Sequence, residues 1–174
     1  MQQLIITAVG PDRPGLVGEL TAHLHAAGAN ILDTRMVNLR GQFALMILFE
    51  AADAGATDLV RGLPDAGRRI GLVLSVTPQG EPAHRPQGLP YRLKTYSTDQ
   101  PGIVARLTKL LRDNGVNIEE LSAWQESAAF AGSPLFLTEM RLTVPTTTPL
   151  RTLRAELDVL SNELNLDADL EPAE

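Results

Sequence analysis

The sequence contains no cysteine and few aromatic residues. None of its 174 residues is a cysteine, and only 4% are Phe, Trp or Tyr. Without thiols the chain cannot form a disulfide, a thiolate nucleophile or a cysteine-ligated metal site, which suits a reducing cytoplasm. Because so few rings are available to stack on bases, a platform for single-stranded nucleic acid is disfavoured.

Positive charge and long apolar segments are also scarce. The 15 basic side chains are outnumbered by 21 acidic ones, a net charge of -6, so the chain is poorly suited to bind a phosphate backbone. The longest apolar run, Phe43 to Phe49, is far shorter than the ~20 residues that span a bilayer. No basic leader precedes the first apolar run, and we expect a cytoplasmic protein that binds neither nucleic acid nor a membrane.

Patterns typical of catalysis and metal binding are missing as well. The sequence has no phosphate-binding glycine loop and no nucleophile elbow. His23, His25 and His84 have no carboxylate at an obvious metal-ligand spacing. Glu119 and Glu120 adjoin on a predicted strand, so we expect their side chains on opposite faces, which is poor geometry for an acid–base pair. We predict a protein that is not an enzyme and uses no metal or cofactor.

The most informative feature that is present is a repeat with an offset of 87 residues. Ten of the twenty positions from 12 to 31 are identical to the positions 87 residues further along the chain. Such self-similarity predicts two domains with the same fold. We place them at 1–77 and 91–174, joined by a linker over 78–90 that contains four prolines and is expected to be extended.

Each copy begins with the same patterns. In the first copy an apolar run ends at Gly10-Pro11, which predicts a strand. Apolar residues at helical spacing follow, with Pro14 suited to the first helical turn and Gly28 suited to the helix end. Two apolar stretches around Arg40-Gly41 then predict a β-hairpin.

The rest of each copy predicts one more helix and one more strand. In the first copy a weaker helix over 56–63, which Pro64 ends or kinks, precedes a strand over 72–77. In the second copy a leucine stripe over 150–164 predicts the helix, and a longer loop over 126–134 joins the two strands before it. The repeated unit is therefore β-α-β-β-α-β, and the fold class is α+β.

These patterns resemble the ACT domain family, which carries Asp-x-Pro-Gly-[Leu/Ile]-Val after the first strand and Gly-x-Asn-Ile at the end of the first helix. The resemblance covers nearly the whole chain. In the first copy the matching residues are Asp12, Arg13, Pro14, Gly15, Leu16, Val17, Gly28, Asn30 and Ile31. In the second copy they are Asp99, Gln100, Pro101, Gly102, Ile103, Val104, Gly115, Asn117 and Ile118.

The resemblance implies a fold and a role. The fold is two ferredoxin-like domains in tandem, each an antiparallel sheet with two helices on one face. ACT domains typically bind small ligands, often amino acids, near the loop after the first strand, where two domains pair. The resemblance also implies that tandem members without a DNA-reading module bind a LysR-type activator. Glycine is then the signal that controls transcription of glycine cleavage genes. A homo-oligomer is compatible with this role.

The chemistry of the motif fits an amino-acid ligand. Unpaired N–H groups at the first helical turn, from Gly15 and Leu16 or from Gly102 and Ile103, can bind a carboxylate. Asp12 or Asp99 can accept from the ammonium group. By the resemblance, Asn30 or Asn117 reaches the ligand from across a domain pair.

A purely structural reading of the same residues stays open. An aspartate before Pro-Gly can cap a helix, which stabilises by ~1 kcal/mol without any ligand, and an asparagine after glycine is common at turns. The two loops also differ, because Arg13 becomes Gln100 and Gly10-Pro11 becomes Ser97-Thr98, and we expect the first loop to be the working site. Two alternative functions remain: a detached regulatory subunit of an amino-acid-metabolising enzyme, and a structural interaction module.

Overall fold

The order of helices and strands is β-α-β-β-α-β, repeated once along the chain. The computed structural model describes residues 1–80, 87–127 and 134–173. The chain divides into two units, Met1–Ala83 and His84–Glu174, called domain 1 and domain 2 below. His84, Pro82 and Pro86 lie outside the described residues, as does most of the loop predicted over 126–134.

Domain 1 is a four-stranded antiparallel sheet with two helices on one face. Its elements are β1 (Gln2–Pro11), α1 (Leu16–Ala26), β2 (Asn30–Leu39), β3 (Gln42–Ala51), α2 (Asp53–Ile70) and β4 (Val73–Pro78). The strand order is β2-β3-β1-β4, and all three pairings are antiparallel. Leucines of α1 and α2 pack on alternate residues of β1 and β3 to form the core.

Domain 2 has the same architecture. Its elements are β5 (Gly88–Thr98), α3 (Ile103–Asp113), β6 (Asn117–Glu126), β7 (Leu135–Pro145), α4 (Leu150–Leu164) and β8 (Leu166–Pro172). The strand order β6-β7-β5-β8 repeats that of domain 1, and the domain has a separate apolar core. The predicted fold class, two tandem ferredoxin-like units, is confirmed.

The longest apolar run of the sequence is buried on one face only. In β3 the side chains of Phe43, Leu45, Ile47 and Phe49 face the helices and are almost completely buried. Met46, which alternates with them, is 52% exposed. The helices therefore cover one face of the sheet, and the opposite face of each sheet is called the open face below.

Several segment boundaries differ from the prediction. Helix α2 runs through Pro64 to Ile70, because Leu63 and Ala66 are buried on the core and their burial offsets the hydrogen bond that the proline removes. Strand β5 begins at Gly88, which pairs with Pro145 of β7, while Pro78 is the last residue of β4. The linker predicted over 78–90 therefore overlaps both flanking strands.

A β-bulge occurs at the same place in both domains. The register shifts between Ile31 and Asp33 in β2 and between Ile118 and Glu120 in β6. In β6 the extra residue is Glu119 itself, and the bulge breaks the alternation of side chains between the two faces of the strand. As a result Glu119 accepts from Thr143 Oγ1 (2.8 Å) and Glu120 from Arg141 Nη1 (3.0 Å), two residues on one face of β7. The predicted opposite placement of the two carboxylates is wrong.

Replacing Pro64 by alanine should stabilise domain 1. The side chain is exposed in the middle of α2, and alanine restores a backbone donor and a better helix propensity. We expect the free energy of unfolding to rise by ~1–3 kcal/mol, measured by urea denaturation. Pro14→Ala, in the turn before α1, is the matched control and should give no gain, because its N–H would not extend a helix.

Candidate functional site

The motif loop of each domain turns the chain from the first strand into the first helix. Gly15 is the N-cap of α1 with φ 95°, and Gly102 is the N-cap of α3 with φ 94°, a conformation that favours glycine. Neither helix has a side-chain cap. The structural reading of Asp12 and Asp99 as helix caps is therefore wrong, and Pro14 precedes the helix rather than opening its first turn.

Each motif aspartate is instead held by an amide side chain of the second strand. Asn38 Nδ2 donates to Asp12 Oδ2, and the Asp12 N–H donates to Gly41 O (2.9 Å). In domain 2, Gln125 Nε2 donates to Asp99 Oδ2 (2.6 Å). Asn38 and Gln125 are 87 residues apart, the offset of the repeat, and each has a side-chain amide, so the two domains hold the motif aspartate in the same way.

Arg13 and Gln100 both attach the motif loop to the end of the second helix. Arg13 Nη2 donates to Ile70 O (3.3 Å), and Gln100 Nε2 donates to Leu164 O (2.5 Å); these carbonyls belong to the last residues of α2 and α4. Arg13 also forms a two-pronged pair with Glu19, with distances of 2.6 and 2.8 Å. The structure thus gives both predicted ligand residues partners within the protein.

The Arg13–Glu19 pair shifts the titration of both groups. The hydrogen bond from Arg13 holds the pKa of the Glu19 carboxyl below its ordinary value of 4.5, and the same bond raises the pKa of the guanidinium. A carboxyl with a lowered folded-state pKa stabilises the fold above its unfolded value, and this contribution is lost as pH falls through the lowered pKa. The pair is therefore intact at neutral pH.

The predicted residues of the first motif line one shallow depression. It has a volume of about 320 Å³. Leu16 is buried in the core, so it offers its backbone to the depression, whereas Val17 is 39% exposed. The lining residues are Asp12, Arg13, Pro14, Gly15, Leu16, Val17, Gly18, Met36 and Phe43.

Asn30 and Ile31 line a second, adjoining depression between α1 and the start of β2. Its volume is about 420 Å³, and Gly18 lines both depressions. Asn30 Nδ2 donates to Glu50 Oε1 (3.1 Å). The remaining lining residues are Thr21, Ala22, His25 and Ala29. Domain 1 therefore brings the residues from Asp12 to Val17 together and places Asn30 beside them.

The residues of the second motif also have hydrogen-bond partners within their own domain. Asn117 Nδ2 donates to Glu119 Oε1 (2.6 Å), and both Asn117 and Ile118 are half-buried. Ile103 is buried in the core, while Pro101 and Gly102 are exposed. Among the described residues of both domains, no group of three His, Asp or Glu side chains could hold a metal ion, and no helix is long and apolar enough to cross a membrane.

Comparison with known proteins agrees with this architecture. Residues 2–77 match the model of the ACT domain. A UPF0237 protein of Methanococcus maripaludis is 32% identical over 78 residues, which cover 44% of this chain and 87% of that protein. The chain belongs to the ACT domain family.

Similarity extends over both ACT domains. The glycine cleavage system transcriptional repressor of Escherichia coli is 25% identical over 167 residues, covering 96% of this chain and 88% of the repressor. The crystal structure of an unknown protein from Galdieria sulphuraria is 28% identical, covers 99% of each chain and has a TM-score of 0.82. The protein is therefore a tandem ACT-domain protein that resembles the repressor.

Gly15→Ala should destabilise domain 1 by ~1–2 kcal/mol, because alanine resists a positive φ. Its Cβ would also lie 3.3 Å from Glu19 Oε1. Gly18→Ala is the control: its Cβ would meet nothing within 4 Å, and alanine inside a helix should stabilise by up to ~1 kcal/mol. Urea denaturation measures both, and equal effects of the two substitutions would contradict the assigned conformation.

Arg13→Ala should return the pKa of the Glu19 carboxyl toward 4.5, because it removes the hydrogen bond that favours the carboxylate. The measurement is an NMR pH titration of the side-chain carboxyl carbons. Asp113 provides an internal control, since hydrogen bonds from Lys109 and Arg112 lower its pKa in domain 2 and Arg13→Ala should leave it unchanged. An unaltered Glu19 titration would show that the pair does not form in solution.

Proposed function

We propose that the protein is a non-catalytic regulator that senses a small amino acid, with glycine favoured, and controls transcription of glycine cleavage genes through a protein partner such as a LysR-type activator. The similarity to the Escherichia coli repressor supports this role, because it covers 96% of the chain and so includes both ACT domains.

The observation that carries the proposal is the depression at the motif loop of domain 1. The first turn of α1 has N–H groups without helical partners, and these suit the carboxylate of an amino acid. The Asp12 carboxylate lines the same depression and can accept from the ammonium group in a charge-assisted hydrogen bond. Asn38 already orients this carboxylate, so little ordering is needed on binding.

The surroundings of the loop favour a small ligand. Arg13 is hydrogen-bonded to Glu19 and to the end of α2. It therefore forms part of the wall of the depression and does not pair with the Asp12 carboxylate. Val17, Met36 and Phe43 add apolar surface. We propose that Asn30, which lines the adjoining depression, makes a second side-chain contact with the ligand.

Domain 1 is proposed as the working site and domain 2 as its structural complement. At the position of Glu19 domain 2 has Arg106, which pairs with Glu163 of α4. Gln100 replaces the arginine of the first motif and is bonded to Leu164. The second loop is thus bound to its own helices through different groups, with no equivalent of the Arg13–Glu19 wall.

Ligand binding would act on a protein partner through a difference in affinity. A ligand shifts the equilibrium between two conformations of the protein only as far as it binds one of them more tightly than the other. The coupling free energy is commonly ~1–3 kcal/mol. The motif loop is suited to this because it joins β1, α1 and the end of α2. A change in the conformation of this loop on binding would therefore affect both helices of the domain.

The ligand should first be identified by thermal-shift screening against the proteinogenic amino acids, since a ligand of the folded state raises its stability. Calorimetry with glycine and serine then tests the site. Asp12→Ala should weaken binding at least ~10-fold, because it removes a charge-assisted hydrogen bond, and Asn30→Ala should weaken it less. Asp99→Ala, the equivalent change in domain 2, is the matched control and should leave the affinity unchanged.

Circular dichroism accompanies each titration, so that loss of binding is separated from loss of folding. Unchanged affinity in Asp12→Ala would remove the first motif loop from the site. Equal weakening in Asp12→Ala and Asp99→Ala would show that both loops bind, and would overturn the division of roles between the domains.

A further inference from the structure

The open face of domain 1 carries an apolar row that crosses the whole sheet. By strand register, Val73, Val9, Ala44 and Val37 lie side by side on β4, β1, β3 and β2. Val9 is 50%, Val37 52% and Val73 77% exposed. A contiguous exposed patch of this kind marks an interaction surface, unlike scattered single apolar residues.

Two further rows extend this patch. The second contains Ser75, Thr7, Met46 and Arg35, and the third contains Thr77, Ile5, Leu48 and Asp33. The face is not flat here: Ile5, Met46 and Leu48, with the chain from Asp33 to Arg35, surround a depression of about 140 Å³.

The equivalent rows of domain 2 are mostly charged. Its first row keeps apolar side chains at Tyr96, Leu137 and Trp124. In the other two rows, however, Arg92 stands in place of Ile5, Glu139 in place of Met46 and Arg141 in place of Leu48.

Within these charged rows of domain 2, ion pairs join residues on neighbouring strands. The distances are 3.1 Å for Arg92–Glu171, 4.0 Å for Lys94–Glu139 and 3.0 Å for Arg141–Glu120. Such a face is well hydrated as it stands. The open face of domain 2 is thus mostly charged, whereas the open face of domain 1 is mostly apolar.

We propose that two copies of the chain form a two-fold dimer by packing the open face of domain 1 against the open face of domain 1. Sheets pack face to face at a separation of about 10 Å when both inner faces are apolar. A two-fold contact uses the same patch on both copies, so the patch has to be compatible with itself.

Charge favours a second copy as the occupant. The three rows of domain 1 hold one cation and one anion, Arg35 and Asp33, which pair with each other at 2.6 Å. Identical faces of this kind meet without like-charge repulsion. The corresponding rows of domain 2, with Asp167, Asp169 and Glu171 on β8, hold more carboxylates than cations, and self-pairing there would be opposed.

The area is sufficient for a dimer. The whole open face, with three strands of 10 residues and one of 6, covers roughly 600 Å² at the usual residue rise and strand spacing. Beyond the three rows it includes Glu50, whose carboxylate accepts a hydrogen bond from Asn30. Two copies would therefore bury roughly 1,200 Å² in total, the lower end of the range for stable specific interfaces. This predicts a measurable dimer of moderate affinity that does not depend on bound amino acid.

The test is sedimentation velocity on the full chain without ligand, at concentrations between about 1 and 100 µM. Wild type should dimerise, and Met46→Glu should raise the dissociation constant by roughly a hundredfold or more, because two carboxylates would be buried without partners. Domain 2 already has glutamate at the equivalent position, Glu139, so the sheet tolerates the change. Val60→Glu is the matched control: it adds the same charge to domain 1 at a 40% exposed residue of α2, and should leave the dimer intact.

Circular dichroism checks the fold of both variants, and Ile5→Arg replaces Met46→Glu if the latter is unfolded. A wild-type chain that stays monomeric over the whole concentration range would overturn the proposal. So would a dimer that survives Met46→Glu, since that result would point to pairing along the edge of β2 or through the helices. A failure of amino-acid binding in the calorimetry would leave this dimer unaffected, so the two proposals fail independently.

Discussion

The left-handed glycine at the start of the first helix is the constraint on which each domain depends. With φ near +95° at Gly15 and Gly102, the chain leaves the first strand and enters a helix whose leucines face the sheet. The same turn leaves the N–H groups of the first helical turn without side-chain caps. One backbone conformation therefore supports both the packing of the core and the donor groups of the proposed site.

The two domains keep this geometry and differ in what surrounds it. Both bind their motif aspartate to an amide on the second strand, and both attach the next residue to the end of the second helix. Domain 1 adds the Arg13–Glu19 pair, whereas domain 2 pairs Arg106 with Glu163. The open faces differ in the same way, with apolar side chains in domain 1 and ion pairs in domain 2. The two domains thus share one scaffold and differ in the side chains on its surfaces.

Local sequence patterns were sufficient for most of the fold. Gly28 and Gly115 end their helices with a positive φ, as expected from their place after a helical stripe. The patterns failed where packing overrides a local preference, as at Pro64 inside α2, or where an inserted residue changes the alternation of a strand, as at Glu119. For the candidate site, the motif residues from Asp12 to Val17 line one depression and Asn30 lines its neighbour, while the binding of an amino acid there stays a prediction.

The sequence by itself determined that there are two β-α-β-β-α-β units and where each motif loop lies, because a repeat and a periodicity are properties of the chain in one dimension. Only the tertiary structure decided which groups hold those loops: strand register brings Asn38 to Asp12 across 26 residues, and no local pattern encodes that distance. It also decided that the apolar run around Met46 has one uncovered face. A continuous run of apolar residues is the same in sequence whether helices cover one face of its strand or both.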